Sequence, residues 1–163
     1  MIIAIVSVDE KFGIGKDGKL LTSHPEDMNF FKTMTTGNIV VMGRKTWESL
    51  PKRPLPDRTN IIITSHPEES NNIDVNFTTM EDFLDNIEYL NAGEKDIYII
   101  GGASIYEQLL PYCERIYMTL IPEEDNDADA FFPAINLKNE WVITNEEYSG
   151  LSKCCFLTID RRI

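Results

Sequence analysis

The 163-residue sequence has little that would point to a membrane, a secreted scaffold or a nucleic-acid partner. No apolar run approaches the roughly 20 residues of a membrane-spanning helix, and the first residues lack the basic start of a signal peptide. Three cysteines are too few and odd in number for a disulfide framework, which favours a reducing compartment such as the cytoplasm. A net charge of -12 disfavours nucleic acid and anionic membranes as partners.

Length and composition predict one globular domain over residues 1–163. The sequence has no internal repeat, low-complexity tract or interdomain linker. It also has no heptad or apolar patch pattern that indicates a partner chain, so a monomer is expected. Apolar runs between turn residues predict eight strands, near residues 2–8, 39–43, 59–64, 73–77, 96–100, 114–121, 140–148 and 153–161. Helical patterns fall near residues 25–36, 44–50, 79–90 and 104–111.

The spacing of these segments predicts an α/β fold: one eight-stranded, mostly parallel mixed sheet with helices on both faces. The first five strands alternate with helices or long crossovers, which is typical of parallel pairing with right-handed connections. The last two strands are joined only by residues 149–152. Because that link is too short for a crossover, a C-terminal antiparallel hairpin is expected.

Positive charge is concentrated in one short segment of this acidic chain. Residues 44–58 contain five cations and two anions. A local cationic patch on an acidic protein suggests a small polyanionic ligand. A solvated basic loop is the alternative that charge alone leaves open.

Residues 13–18 read Gly-Ile-Gly-Lys-Asp-Gly, a literal G-x-G-x-x-G after a predicted strand. A dinucleotide fingerprint requires a helix to open at these glycines, so that its N-terminus meets the pyrophosphate. Here the next helical pattern starts only at Pro25. A long, glycine-hinged loop that can close over a ligand is therefore favoured.

Gly43 and the pair Gly101-Gly102 each connect a predicted buried strand directly to a predicted helix. Glycine lets the main chain approach a ligand closely, and helix N-termini favour phosphate groups. One such junction alone is usually a tight turn. Two of them at the carboxyl ends of parallel strands, one followed by Arg44 and Lys45, indicate a pyrophosphate site.

Asp27 lies in the middle of the apolar face of the helix predicted at residues 25–36. At about 100° per residue, the side chains that share this face are Met28, Phe30, Phe31 and Met34. An Asp in a first helical turn can interact with the helix dipole from the wet face. The central apolar position favours instead a carboxylate at the floor of an apolar pocket, suited to a flat ligand with an amidine-like N–H pair.

Five blocks of sequence, taken together and in order, resemble dihydrofolate reductase over essentially the whole chain. They are Phe12-Gly-Ile-Gly15, Pro25-Glu-Asp27-Met-Asn-Phe-Phe31-Lys, Val41-Met-Gly43-Arg44-Lys-Thr46-Trp-Glu-Ser49, Arg53-Pro-Leu-Pro-Asp-Arg58-Thr-Asn60 and Ile100-Gly-Gly-Ala-Ser-Ile-Tyr106-Glu. The resemblance implies hydride transfer from NADPH to C6 of dihydrofolate while a proton reaches N5. The product would be tetrahydrofolate for one-carbon metabolism.

The resemblance also implies roles for residues of the substrate site. Asp27 would bind the 2-amino and N3 edge of the pterin and promote protonation at N5, with Thr119 hydrogen-bonded beside it. Arg58 would clamp the glutamate α-carboxylate of the substrate. The closing loop would add Leu20 and Thr22 to the catalytic residues. Further substrate contacts are implied for Ile5, Val6, Met28, Phe31, Leu50, Ile100 and Tyr106.

The cofactor that the resemblance implies is NADPH. Ser7, Ile14 and Gly15 would frame the nicotinamide, with Tyr106 nearby. The 2′-phosphate would be held by Arg44, Ser65 and His66, although an exposed His66 with no ligand is the alternative. The other cofactor contacts implied are Gly43, Lys45, Thr46, Thr64, Ile100, Gly101, Gly102, Ala103, Ser104 and Ile105.

The closing loop departs from the family pattern. It reads Leu20-Leu21-Thr22 where the family usually carries Leu or Met followed by Pro-Trp, and Ala130 stands where Thr is frequent. The departure puts loop closure and water-mediated proton delivery in doubt. Two alternatives stay open: a related NADPH-dependent pterin or pyrimidine reductase, and a non-catalytic pterin-binding protein. Asp27 together with Arg58 favours folate.

Overall fold

The computed structural model describes residues 1–21, 24–69, 75–122 and 127–163, which form both strands and helices. The strands are β1 Ile2–Val8, β2 Gly13–Lys16, β3 Lys19–Leu20, β4 Ile39–Gly43, β5 Thr59–Ile63, β6 Asn76–Thr78, β7 Ile97–Gly101, β8 Arg115–Leu120, β9 Ala130–Phe131, β10 Trp141–Tyr148 and β11 Cys155–Arg161. The α-helices are α1 Pro25–Thr35, α2 Arg44–Ser49, α3 Met80–Asn91 and α4 Ala103–Leu109.

Eight of the strands form one sheet in the order β10-β11-β8-β1-β7-β4-β5-β6. Strand β1 runs parallel to both of its neighbours, β7 and β8, whereas β11 pairs antiparallel with β8 and β10. The predicted mixed sheet and its C-terminal hairpin are confirmed. Each predicted strand has a counterpart, although the start of the one predicted at residues 73–77 lies outside the described residues.

Helices cover both faces of the sheet, as the alternation of strands and helices predicts. On one face, α3 and α4 pack through Phe83, Ile87 and Leu109. On the other, α1 and α2 pack through side chains such as Phe30 and Trp47. Strand β1 contributes to both clusters because successive side chains of a strand point to opposite faces. All the helices of the described residues are too short or too polar to cross a lipid bilayer.

The glycine-rich segment is not a simple loop, which corrects that part of the prediction. Strand β2 pairs antiparallel with β3 and with β9, so a second, three-stranded sheet forms in the order β3-β2-β9. No helix opens at Gly13 or Gly15 in this described stretch, so the dinucleotide-fingerprint reading is wrong. The pairing is not visible in the sequence because β3 and β9 have two residues each and β2 is half glycine.

Candidate active site

Asp27 lies in the first turn of α1, where the helix begins at Pro25 against the carboxyl-terminal end of β1. The hydroxyl of Ser7 on β1 donates a hydrogen bond to Oδ2 of Asp27. Thr119 is the residue that pairs with Ser7 across β1 and β8, and it is 2% exposed. Within the described residues the hydrogen bond to the carboxylate therefore comes from Ser7, where the resemblance implies Thr119.

Apolar side chains of α1 lie on the sheet side of the helix, as this carboxylate does. Phe30, Phe31 and Met34 are partly buried in the cluster that includes Ile5. Met28 differs, because it is 57% exposed at the rim. Leu50 and Ile100 belong to the same cluster as Ile5, whereas Val6 belongs to the cluster on the opposite face of the sheet. On the sheet side of α1 these side chains thus form one apolar cluster with alternate residues of β1.

Arg58 is held at the opposite end of α1 from Asp27. Its Nη1 donates to Oγ1 of Thr35 at 3.1 Å and its Nε donates to the carbonyl of Pro56 at 2.9 Å. The guanidinium lies over the ring of Phe31, 6.0 Å from the centroid. Burial lowers the pKa of Arg58, against a smaller opposing effect of the Asp57 charge. At 1.5 Å of rise per residue, Asp27 and Thr35 are about 12 Å apart along the helix.

The two strand–glycine–helix junctions lie side by side at one edge of the sheet. β4 and β7 are neighbours, and Met42 pairs with Gly101. A Cβ on Gly43 would lie 3.0 Å from Cγ1 of Ile105 and one on Gly102 would lie 3.5 Å from Oγ1 of Thr46, so each junction is packed against the helix that follows the other. Gly101 has a φ of 117°, a conformation that favours glycine.

Basic side chains flank these junctions, and two of them lie beside a carboxylate. Arg44 Nε lies 3.0 Å from Oε1 of Glu48, and His66 Nδ1 lies 3.6 Å from Oε1 of Glu68. Gly43 pairs with Ile63 across the parallel strands β4 and β5. Arg44 and the turn at residues 64–66 therefore follow their strands at the same edge of the sheet. In that turn the His66 amide donates to the buried Thr64 hydroxyl at 3.3 Å. Lys45, Ser65 and Ser104 are exposed at this edge.

Tyr106 connects α4 to β1. Its hydroxyl donates to the carbonyl of Ile5 at 2.7 Å, and its ring packs against Phe132 with centroids 5.0 Å apart. Complete burial raises the pKa of this phenol far above its usual value. Tyr106 is therefore a neutral hydrogen-bond donor. Its ring also lies 3.2 Å from the position that a Cβ on Gly101 would take.

A sequence model of the family described as dihydrofolate reductase matches residues 1–160. The chain belongs to the dihydrofolate reductase family. It is 37% identical over 147 residues to a dihydrofolate reductase of Bacillus subtilis, covering 90% of this chain and 84% of that one. It is 35% identical over 154 residues to a dihydrofolate reductase of Haemophilus influenzae, covering 91% of each.

A solved structure of similar fold is a dihydrofolate reductase from Enterococcus faecalis complexed with NADP(H) and a second compound. The two agree with a TM-score of 0.86 and 33% sequence identity, over 100% of this chain and 97% of that chain. The predictions of family and fold are confirmed by these similarities.

The loop in which the chain departs from the dihydrofolate reductase family pattern is partly described. Ile14 is half-buried and Gly15 is buried in the small sheet, whereas Leu20 at the end of β3 is 78% exposed. Leu21 is half-buried in the bend that follows. The predicted catalytic residue Thr22 lies outside the described residues.

Two contacts in this dihydrofolate reductase site are not predicted by the sequence. The hydroxyl of Thr35 positions Arg58, although α1 and Arg58 lie far apart along the chain. Ser7, assigned above to the cofactor, directs its hydroxyl to Asp27. Both contacts depend on how α1 lies against the sheet. A Thr eight residues after Asp27, at the end of the same helix, is the signal that could have indicated the first.

Proposed function

We propose that Asp27 binds the pteridine edge of the substrate and promotes its protonation, and that Arg58 binds the carboxylate at the other end. As a member of the dihydrofolate reductase family, the chain is an NADPH-dependent oxidoreductase that reduces 7,8-dihydrofolate to 5,6,7,8-tetrahydrofolate. The observation that carries the residue assignment is the arrangement along α1: a carboxylate at one end, a guanidinium at the other and the Phe31 ring between them.

The substrate assignment follows from matching chemistry. A carboxylate accepts two N–H groups of an amidine-like edge in a charge-assisted, bidentate contact. A guanidinium in a fixed orientation binds a carboxylate in the same way. Thr35 and Pro56 accept hydrogen bonds from the Nη1 and Nε of Arg58, which fixes the orientation of its planar group. Phe31 and Leu50 would contact the flat middle of the substrate and exclude water from it.

Ser7 would orient the Asp27 carboxylate. Because its hydroxyl donates to Oδ2, the other oxygen and the remaining lone pairs stay available to the ligand. The half-buried position of Asp27 among apolar side chains strengthens its contacts with a bound N–H pair. In this proposal Thr119, buried on the neighbouring strand, supports the Ser7 side of the site.

The residues at the two glycine junctions fit an NADPH molecule. Side chains larger than hydrogen at Gly43 and Gly102 would fill the space beside Ile105 and Thr46. Arg44 and Lys45 supply positive charge at one junction, and His66 with Ser65 lies at the adjacent edge. Bound there, NADPH supplies the hydride. Ile14, Gly15 and Tyr106 would position its nicotinamide end, and the backbone of residues 101–105 would contact its phosphates.

The oligomeric state and the cellular compartment are part of the same proposal. We infer that the chain works as a single-domain monomer in the cytoplasm, on a small-molecule substrate. Cys113, Cys154 and Cys155, all among the described residues, are not joined by a disulfide, which is compatible with a reducing compartment. The apolar residues of α1 to α4 that pack against the sheet are covered within this one chain.

A steady-state assay that follows NADPH absorbance tests the proposal. Dihydrofolate should support turnover, and the Asp27→Asn variant should bind NADPH normally but turn over slowly. Rapid oxidation of NADPH with other pterins or pyrimidines but not with dihydrofolate would contradict the substrate assignment. Binding of dihydrofolate without turnover by the wild type would indicate a pterin-binding protein.

A further inference from the structure

Asp9 is an acidic residue buried at the turn that leads out of the central strand. It follows β1 directly and is 5% exposed. Acidic side chains are almost never buried to this extent without partners. Oδ1 of Asp9 accepts two hydrogen bonds from the main chain, from the Lys11 amide at 2.8 Å and from the Gly13 amide at 2.7 Å.

The main chain of Asp9 closes the same turn. Its amide donates to the Gly13 carbonyl at 3.0 Å, and its carbonyl accepts from the Phe12 amide at 3.1 Å. Within this turn Phe12 has a φ of 64°, a conformation that residues with a side chain adopt rarely. Four hydrogen bonds to one residue therefore hold a conformation that the sequence alone does not favour.

The turn is also closely packed around Gly13. A Cβ on Gly13 would lie 2.5 Å from Cβ of Ala128 and 2.6 Å from Oδ2 of Asp9. The Asp9 carboxylate thus contacts the main chain where β2 begins. The Phe12 carbonyl accepts from the Phe132 amide at 2.9 Å, which joins the turn to the segment that follows β9.

We propose that Asp9 is a positioning residue for the nicotinamide end of the cofactor site. Ile14 and Gly15 are the next residues along β2, so their lateral position is set by the turn that Asp9 holds. This inference rests on the proposed assignment of Ile14 and Gly15 to the cofactor. Asp9 acts through the main chain of β2, and the geometry of its Oδ1, not its charge, is what the site uses.

Four variants of the full chain separate geometry from charge. Asp9→Ala removes the oxygen that accepts both main-chain hydrogen bonds. Asp9→Asn keeps a carbonyl oxygen at the same reach and removes the charge, whereas Asp9→Glu keeps the charge and displaces the carboxylate by one methylene. Glu10→Ala is the matched control, because Glu10 is an exposed carboxylate in the same turn.

The readouts are amide hydrogen exchange in the free protein, the Kd for NADPH, the Kd for dihydrofolate and the hydride-transfer rate. Asp9→Ala and Asp9→Glu should accelerate exchange over residues 11–16 and raise the Kd for NADPH by about tenfold, the equivalent of leaving one buried N–H without a partner. Hydride transfer should slow in the same variants, and the Kd for dihydrofolate should change little. Asp9→Asn and Glu10→Ala should resemble the wild type.

Three results would overturn the inference. One is wild-type exchange and NADPH affinity in Asp9→Ala. Another is an Asp9→Asn variant that loses as much as Asp9→Ala, which would assign the effect to charge. The third is an equal loss of affinity for NADPH and dihydrofolate together with a lower Tm, which would indicate a purely structural residue. If Asp9→Ala does not fold, the same readouts are compared between Asp9→Glu and Asp9→Asn. Absence of turnover in the wild type would contradict the proposed function instead, independently of these variants.

Discussion

The Ser7 hydroxyl donates a hydrogen bond to Oδ2 of Asp27, and this contact joins the central strand of the sheet to the first turn of α1. Ser7 and Ile5 point to the same face of β1 because side chains alternate along a strand. The carbonyl of Ile5 accepts the hydrogen bond of Tyr106 from the other side. The end of β1 therefore organises both the carboxylate and the neighbouring phenol.

Replacing Asp27 by Asn should leave the fold intact and reduce turnover at pH 7 by about 10²–10⁴-fold, the usual contribution of a general acid. Part of the loss should be recovered at acid pH, where solvent protonates the substrate. The measurement is kcat against pH, with circular dichroism as the check on folding. Near-normal turnover at pH 7 would show that Asp27 is not the proton-promoting residue.

Ser7→Ala and Thr119→Val form the companion pair for this experiment. Since Ser7 is the residue that donates to Asp27, the Ser7 variant should lower kcat, because the carboxylate loses the hydrogen bond that orients it. The Thr119 variant should lower kcat less. A larger effect of the Thr119 variant than of the Ser7 variant would show that Thr119, and not Ser7, is the functional partner of Asp27.

Replacing Arg58 by Leu should raise KM for dihydrofolate strongly and change kcat little, because a carboxylate clamp binds substrate and transition state alike. Losing one member of a desolvated charge pair costs about 2–5 kcal/mol. Thr35→Val removes the acceptor for Nη1 and should give a smaller change in the same direction. A substrate analogue without the glutamate should bind the wild type and Arg58→Leu equally. Unequal binding would show that Arg58 acts elsewhere in the site.

The sequence predicts the large sheet because its strands are buried apolar runs, and runs of that kind are visible without tertiary information. Strand β4, for example, is buried over four of its five residues. The sequence does not predict the small sheet, since Gly13–Lys16 has no apolar alternation. This strand forms because Ala130–Phe131 pairs with it. The same limit applies to the site: helical periodicity places Asp27 on the correct face of α1, but the partner Ser7 follows from packing.

Cofactor choice tests the cations at the glycine junctions. NADPH should bind more tightly than NADH. Arg44→Ala should reduce the ratio of the two affinities by roughly tenfold, the contribution of one charged hydrogen bond. Raising the ionic strength should weaken NADPH more than NADH, because the extra phosphate interacts with exposed charges. Glu48→Gln removes the negative charge beside Arg44 and should strengthen NADPH binding. Isothermal titration with both cofactors gives these values, and equal affinities in the wild type would contradict the 2′-phosphate site.

The ion pair of Arg115 and Asp160 provides a test of stability against pH. The side chains are 29% and 23% exposed, and Arg115 Nε lies 2.7 Å from Oδ1 of Asp160. The Arg115 hydrogen bond lowers the pKa of Asp160, against the opposing effect of burial and with help from Thr144. A carboxyl with a lowered pKa in the folded state stabilises the protein above its unfolded pKa of about 3.9, and this contribution is lost as the pH falls through the folded value.

Asp160→Asn should therefore lower Tm at pH 7 by roughly 2–4 °C, the equivalent of about 1 kcal/mol for a chain of this size. The difference from the wild type should shrink as the pH falls below about 4, because the contribution of the ion pair is lost as the pH falls through the lowered pKa of folded Asp160. Thermal unfolding between pH 7 and pH 3 measures both curves. Asp85→Asn, on the exposed side of α3, is the control. A Tm difference that does not depend on pH would mean that the ion pair contributes no charge effect.

The closing loop gives the last prediction, for the double variant Leu21→Pro with Thr22→Trp, which restores the dipeptide usual in the family. Proline fixes one backbone angle and an indole packs where a threonine cannot, so fewer open conformations compete with closure. The exposed Leu20 and the half-buried Leu21 show that the described part of this loop has surface available for such packing. The double variant should raise the rate of hydride transfer or slow product release, with a modest effect on KM. Single substitutions should do less, because the ring depends on the turn to orient it and neighbouring residues couple. Pre-steady-state hydride transfer with deuterated NADPH measures the chemical step separately from product release. If the transfer rate, its isotope effect and product release are all unchanged, another part of the chain compensates for the missing dipeptide, and the departure from the family pattern has no mechanistic consequence.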